Sequence, residues 1–119
     1  MSRVGWMIIA AALLLFIAVG GYLIFGHQQR PVEARTFKLT VAGNSMSPGH
    51  LLAYEGDTLT ITVSTDKAEE IHMHGYDKHF DAAPDKPVTQ TFKADKTGSF
   101  DIEIEATGTP VGSLEVDPR

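Results

Sequence analysis

The sequence predicts an all-β domain, a Greek-key β-sandwich, preceded by a single N-terminal transmembrane helix. One observation is an uncharged apolar run over residues 4–25. The other is a change of period, because from residue 36 onward apolar residues recur at every second position in short runs separated by turn-forming residues. A chain of 119 residues has room for one modest core. We therefore divide it into an anchor over residues 1–26, a linker over 27–35 and a β-domain over 36–119.

The apolar run is long enough, as a helix, to cross a hydrocarbon layer of about 30 Å. Trp6 and Tyr22 lie near its two ends, where amphipathic rings favour the headgroup region, and Arg3 supplies a positive cytoplasmic flank. We predict a single-pass membrane protein that contacts the membrane through residues 4–25. The C-terminal domain is then expected on the periplasmic or extracytoplasmic side.

A cleaved signal peptide is the alternative interpretation of the same run. Ala18-Val19-Gly20 has the small-x-small pattern of a cleavage site, but apolar residues continue past it to Phe25. Because the apolar region of a signal peptide is usually shorter than this, we favour a retained anchor.

Composition excludes several classes of site. The formal net charge is −5, and it becomes −6 when Arg3 is left out, which makes nucleic acid an unlikely partner. The chain contains no cysteine, so it offers neither a disulfide framework nor a thiolate ligand or nucleophile. The Gly-x-Ser-x-Gly, HExxH and phosphate-loop motifs are all missing, and we expect no enzyme activity.

The strands are predicted from alternation. The linker contains Pro31 and shows no alternation. About seven short strands follow it, and we expect them to pair antiparallel in two sheets. The loop that contains Met46 is dense in turn formers. The predicted core consists of the alternating apolar residues Phe37, Leu39, Leu59, Ile61, Val63, Phe92, Phe100, Ile102, Leu114 and Val116.

The segment with the most donor chemistry contains His72 and His74. Residues two apart in an extended segment project from one face, so both imidazoles can reach one ligand. Imidazole suits copper and zinc, and as a neutral ligand it binds less well as the pH falls through about 6.5. Ile71 and Met73 lie on the opposite face and are expected in the core.

Residues from about 36 to 116 resemble a cupredoxin domain. Four segments carry the resemblance in the family's order: Gly56-Asp57-Thr58-Leu59-Thr60-Ile61, His72 with Gly75-Tyr76-Asp77, Lys93 to Ile102, and Gly112-Ser113-Leu114-Glu115-Val116. The resemblance implies a Greek-key sandwich and matches His72 to the family's first copper histidine.

The loop from Ile104 to Gly112 departs from the family, because it contains none of the Cys, His and Met ligands expected there. A blue-copper centre needs the thiolate, so we reject blue-copper electron transfer. What remains resembles the cysteine-free cupredoxin-like proteins of bacterial envelopes. We predict a copper ion at His72 and His74, with Met46 and Glu105 as weaker candidates.

Several of these residues also have structural interpretations. For Met46 we favour packing over ligation. Glu103 and Glu105 share one strand face and are expected to be solvated, although either carboxylate could complete a site. His50 and His79 are isolated in the sequence and are expected to be solvent-exposed without a role.

Two functional hypotheses remain open. The first is a membrane-tethered envelope domain that binds or passes copper or another transition metal, with a metal-handling protein as its partner. The second is a metal-free tethered β-sandwich that binds a protein partner. Metal stoichiometry distinguishes them.

Overall fold

The computed structural model describes residues 2–26 and 29–119. Met1, in the predicted anchor, and His27 and Gln28, in the predicted linker, lie outside the described residues. In the described part, one helix is followed by nine strands, and the helix and the strands form two separate compact units.

The helix α1 spans Arg3–Phe25. Ser2 caps its N-terminus, where the Ser2 hydroxyl accepts a hydrogen bond of 3.2 Å from the Gly5 N–H. The helix is 23 residues long and contains an 18-residue stretch with a mean hydropathy of 2.7, enough by length and composition to cross a membrane. A signal sequence meets the same criteria, so α1 is either a membrane span or a signal sequence.

The strands form two sheets. The four-stranded sheet has the order β2-β1-β4-β7 and the five-stranded sheet the order β3-β9-β8-β5-β6. Their bounds are β1 Ala34–Ala42, β2 Ser45–Ser47, β3 His50–Tyr54, β4 Thr58–Thr65, β5 Glu69–Met73, β6 Lys78–Ala82, β7 Val88–Lys93, β8 Gly98–Ile104 and β9 Thr109–Asp117.

The apolar faces of the two sheets enclose the core, as the alternating pattern predicted. Seven of the ten predicted core residues are buried, and Phe37, Phe92 and Phe100 are half-buried and pack against them. Ile71 and Met73 are also buried, as expected from their strand face. Further buried residues come from strands that the sequence did not predict, among them Leu51 and Ala53 in β3 and Phe80 in β6.

Two features differ from the sequence prediction. The sandwich is not wholly antiparallel, because β1 pairs parallel with β4 and β3 pairs parallel with β9. Alternation reveals which face of a strand is buried but not the direction of its neighbour. In addition, β1 begins at Ala34, two residues before the predicted domain boundary, since Ala34 and Arg35 already pair with Thr58 and Leu59.

Asp57 links the two sheets, because it binds groups at the start of β1 and at the ends of β3 and β9. Its buried carboxylate accepts hydrogen bonds from the Glu33 N–H at 3.0 Å, the Tyr54 N–H at 3.0 Å and Arg35 Nε at 2.6 Å, and it also pairs with Arg119. Burial alone would raise the pKa of Asp57, but these hydrogen bonds outweigh it and lower the pKa far below its usual range. The carboxylate therefore stays ionised.

Candidate metal centre

The site lies on the outer face of the five-stranded sheet, where β5, β6 and β8 are adjacent. Ile71 and Met73 turn inward, so His72 between them projects outward. The register places His72 opposite His79 of β6 on one side and opposite Glu103 of β8 on the other. His72 is therefore central, and its side chain is only 15% exposed.

His74 lies next to His72 on this face. Strand β5 ends at Met73, so His74 is the first residue of the following turn rather than part of the strand. Its N–H still donates to the Asp101 carbonyl at 2.9 Å, which holds it against β8. The His72 and His74 ring centroids are 4.6 Å apart, with a 48° angle between the ring planes. The structure thus places the two predicted imidazoles side by side.

The carboxylates of Glu103, in β8, and of Glu105, directly after β8, contact these rings. Glu103 Oε1 lies 2.7 Å from His74 Nε2 and 3.9 Å from His72 Nδ1, and Glu105 Oε2 lies 3.2 Å from His72 Nδ1. The Glu103 side chain is 20% exposed, so the expectation that it is merely solvated is wrong. Strand pairing brings it against the histidines.

His79 also belongs to this cluster, contrary to the expectation from sequence. Its ring stacks on that of His72, with centroids 4.3 Å apart and an angle of 11°. His79 Nδ1 lies 2.6 Å from Glu70 Oε1, and its Nε2 lies 3.0 Å from Asp77 Oδ1. The sequence analysis missed His79 because its role depends on strand pairing. The tight turn over residues 74–77 returns the chain along β5 and places His79 opposite His72.

The turn over residues 74–77 sets this arrangement. Gly75 has φ of 80° and Asp77 has φ of 51°, both in the left-handed region. Glycine adopts this region without a steric penalty, and aspartate tolerates it better than most residues. The conformation points the Asp77 carboxylate back at the histidines, with Oδ1 at 3.1 Å from His72 Nε2.

The charges of the cluster act on each other. Hydrogen bonds from His72 and then His79 lower the pKa of Asp77. The hydrogen bond to Asp77 raises the pKa of His79, a shift that partial desolvation opposes and Glu70 reinforces. Asp77 and His79 therefore favour each other's charged form.

Among residues 2–26 and 29–119, two groups of side chains bring potential ligand atoms within 4.8 Å of one another. The first, which we call the Glu103 group, consists of His72, His74 and Glu103; the second, the Asp77 group, consists of His72, Asp77 and His79. Imidazole nitrogens and carboxylate oxygens together suit Cu(II) and Zn(II). Either group provides three donors and leaves room for water.

Solved structures resemble this chain over most of its length. A copper binding protein, whose apo form was determined by NMR, superposes with a TM-score of 0.60 at 11% identity, covering 75% of this chain and 93% of its own. The metal binding domain of the Streptococcus pneumoniae D39 Cu(I)-exporting P-type ATPase CopA gives a TM-score of 0.60 at 15% identity, covering 71% of this chain and 93% of that domain. The domain has a cupredoxin-like fold.

Further similarity reaches beyond the cupredoxin-like domain. A chain of a heme-copper terminal oxidase dimer has a TM-score of 0.58 at 14% identity and covers 97% of this chain and 98% of its own. At these identities the likeness shows the fold alone. No family model matches the sequence, and no curated protein matches it.

The remaining predicted residues lie elsewhere in the cupredoxin-like domain. Met46 is buried in the core, with its sulfur near the backbone of Gly112 on β9, so the predicted packing role is confirmed. The role of Met46 as a weaker ligand stays a prediction. Met46 lies in the core, whereas His72 and His74 lie on the outer face of the sheet. His50 lies on the edge strand β3, with Nε2 at 3.2 Å from Glu115 Oε2 and a side chain that is 55% exposed.

Proposed function

We propose that this protein is a membrane-tethered copper-handling module, in which the cupredoxin-like domain binds one copper ion on the outer face of its five-stranded sheet. In this proposal α1 is a retained anchor and the domain lies on the extracytoplasmic side. His72 and His74 are the primary ligands. The observation that carries the proposal is the convergence of His72, His74 and Glu103, whose ligand atoms lie within 4.8 Å of one another.

The donor set determines the chemistry. Without a cysteine in the chain, a bound copper ion has no thiolate from this protein, so a blue-copper electron carrier does not fit. When bound, copper would be an exchangeable cation held by imidazole and carboxylate donors, which suit Cu(II). His72 is largely enclosed by its neighbours, whereas the His74 side chain is 46% exposed. A ligand set with one half-exposed member, His74, favours loading and release over permanent retention, which is why we propose a carrier rather than an enzyme.

Electrostatics support capture of a cation. Glu70, Asp81, Asp101 and Glu103 belong to the outward-facing positions of β5, β6 and β8, and Glu105 follows β8 directly. Clustered carboxylates concentrate cations at a surface and raise association rates. The structural similarity to a copper binding protein and to a Cu(I)-exporting ATPase domain favours copper over other cations.

The test is titration of the full chain, purified in detergent, with Cu(II) and with Cu(I) against a competing chelator. We expect one ion per chain, and a strong loss of affinity in the His72→Ala/His74→Ala variant. His50→Ala is the control. His50 lies on β3, an edge strand of the same sheet, and pairs with Glu115, but it belongs to neither group. Unchanged binding in the double variant, or wild-type binding no tighter than that of an unstructured peptide, would favour the metal-free tethered domain instead.

A further inference from the structure

The two ring nitrogens of His72 face two different sets of side chains. Nδ1 faces β8, with Glu105 Oε2 at 3.2 Å and Glu103 Oε1 at 3.9 Å. Nε2 faces the turn after β5, with Asp77 Oδ1 at 3.1 Å. The Glu103 group therefore lies at one edge of the imidazole ring and the Asp77 group at the other.

The Asp77 group has the donors of a metal position in its own right. Asp77 Oδ1 lies 3.1 Å from His72 Nε2 and 3.0 Å from His79 Nε2, so the three ligand atoms converge. The stacked rings of His72 and His79 keep both nitrogens directed to the same side. Two imidazoles and one carboxylate leave coordination positions open for water or an incoming donor.

In both histidines of the Asp77 group, Nδ1 faces a carboxylate. Glu70 Oε1 lies 2.6 Å from His79 Nδ1, and Glu105 Oε2 lies 3.2 Å from His72 Nδ1. When Nδ1–H donates to such a carboxylate, the Nε2 lone pair becomes available to a metal and the ring is held in orientation. Glu70 and Glu105 thus act as positioning residues for this group.

We propose that the Asp77 group is a second metal position, which shares His72 with the Glu103 group and holds the same single ion in turn. This inference rests on the proposed function. A neutral imidazole has one nitrogen lone pair available to a metal, so His72 serves one position at a time. Its tautomer selects the position: Nδ1–H bonded to Glu105 directs the lone pair to Asp77, whereas Nε2–H bonded to Asp77 directs it to Glu103.

Exposure gives the two positions different roles. The Asp77 side chain is 86% exposed, whereas that of Glu103 is 20% exposed. A hydrated ion arriving from solvent meets the Asp77 carboxylate first, whereas the His79 and His74 side chains are about equally exposed, at 44% and 46%. Transfer to the Glu103 group breaks the bonds from the ion to Asp77, His79 and His72 Nε2 and forms bonds to His74, Glu103 and His72 Nδ1. In the same exchange the His72 Nδ1 proton passes to the Glu105 carboxylate or to water, and Nε2 takes up a proton from water.

The experiment uses the full chain in detergent with Zn(II) as a diamagnetic probe and Cu(II) for affinity. Histidine ¹⁵N NMR of the Zn(II)-loaded protein identifies which nitrogen of each ring is bound. In the wild type we expect two populations of His72, one bound through Nε2 together with His79 and the other bound through Nδ1 together with His74. In His79→Ala we expect His72 to bind through Nδ1 alone, and in His74→Ala through Nε2 alone.

Affinity provides the second readout. His79→Ala and Asp77→Asn should each weaken Cu(II) binding about 10- to 100-fold and keep one ion per chain. Asparagine tolerates the left-handed backbone at residue 77, so Asp77→Asn preserves the turn. The matched controls are His50→Ala and Asp85→Asn, since Asp85 also has a positive φ, 61°, and is exposed. Combining His74→Ala with His79→Ala should match the loss in His72→Ala.

The positioning residues need their own control. Glu70→Gln should weaken binding about 10-fold and shift the His79 ¹⁵N resonances in the metal-free protein, because His79 Nδ1–H loses its charged acceptor. Glu115→Gln removes the equivalent carboxylate beside His50 and should change neither quantity.

The outcomes separate this inference from the proposed function. If the wild type binds no metal tighter than a peptide control, both fail. If metal binds and His72→Ala abolishes binding, but His79→Ala and Asp77→Asn match their controls, the second position alone is overturned. Two ions bound per chain, or an Nε2-bound population of His72 that persists in His79→Ala, would also overturn it.

Discussion

Asp57 is a single side chain that binds three separate segments of the domain. It follows the Gly56 turn and receives donors from residues before β1, at the end of β3 and after β9. A buried carboxylate is stable only when its oxygens are satisfied, and this one is held by two arginines and two backbone N–H groups. These hydrogen bonds offset the free-energy cost of burying the carboxylate, and they hold the three segments together.

Asp57→Asn should lower the free energy of unfolding by about 2–4 kcal/mol, because Arg35 and Arg119 would lose their charged partner while the amide keeps the side-chain volume. Urea denaturation at neutral pH measures this loss. Asp66→Asn is the comparison, since Asp66 is exposed and accepts one hydrogen bond of 3.0 Å from the Gly43 N–H; we expect it to cost less than about 0.5 kcal/mol. Equal losses would contradict a special role for Asp57.

The lowered pKa of Asp57 also predicts a pH dependence. A carboxyl whose pKa is lower in the folded state contributes stability above its unfolded pKa of about 3.9, and that contribution is lost as the pH falls toward the folded value. Between about pH 5 and pH 3 the wild type should therefore lose more stability than Asp57→Asn does. Parallel stability curves for the two proteins would refute the assignment.

At the scale of elements, the turn over residues 74–77 determines the site more than any strand does. A Cβ added to Gly75 would overlap the Phe100 ring, and its φ of 80° is strained for other residues. Phe100 is in turn fixed by an edge-to-face contact with Tyr76 at 5.0 Å. The turn therefore has little freedom to relax, and it carries Asp77 with it.

Gly75→Ala should cost more stability than Gly108→Ala and should weaken metal binding. Gly108 has a similar positive φ of 64°, but an added Cβ there meets nothing within 4 Å. The backbone penalty of about 1 kcal/mol is common to both variants, so the difference reports the overlap with Phe100. Thermal unfolding and Cu(II) titration of both variants measure it. Indistinguishable variants would show that Phe100 moves aside freely.

The strand faces could be predicted from the sequence, and the site only in part. Period-two alternation was sufficient to place Leu59, Ile61 and Val63 in the core and His72 on the outer face. The contribution of His79 could not be predicted, because it depends on a register fixed by two positive-φ residues in a four-residue turn. The positions of Glu70 and Glu103 likewise follow from pairing partners, which alternation does not specify.

For the whole molecule, the fate of α1 decides where the domain operates. We predict that the mature protein keeps residues 4–25, because the apolar run continues beyond the small-x-small site to Phe25. Membrane fractionation and the N-terminal sequence of the native protein test this. Recovery in the soluble fraction with a new N-terminus near Gly21 would show that α1 is a signal peptide.

The parallel pairing of β3 with β9 has a consequence for how the chain folds. His50 pairs in register with Ser113, 63 positions later, and β9 is the neighbour of β3 in its sheet. During synthesis β3 therefore waits as an unpaired strand until β9 has emerged, and such long-range closure gives β-sandwiches folding times of about milliseconds to seconds. The sheet that carries the histidines is completed by its last strand. A nascent chain would complete this sheet late, after most of the domain has left the ribosome.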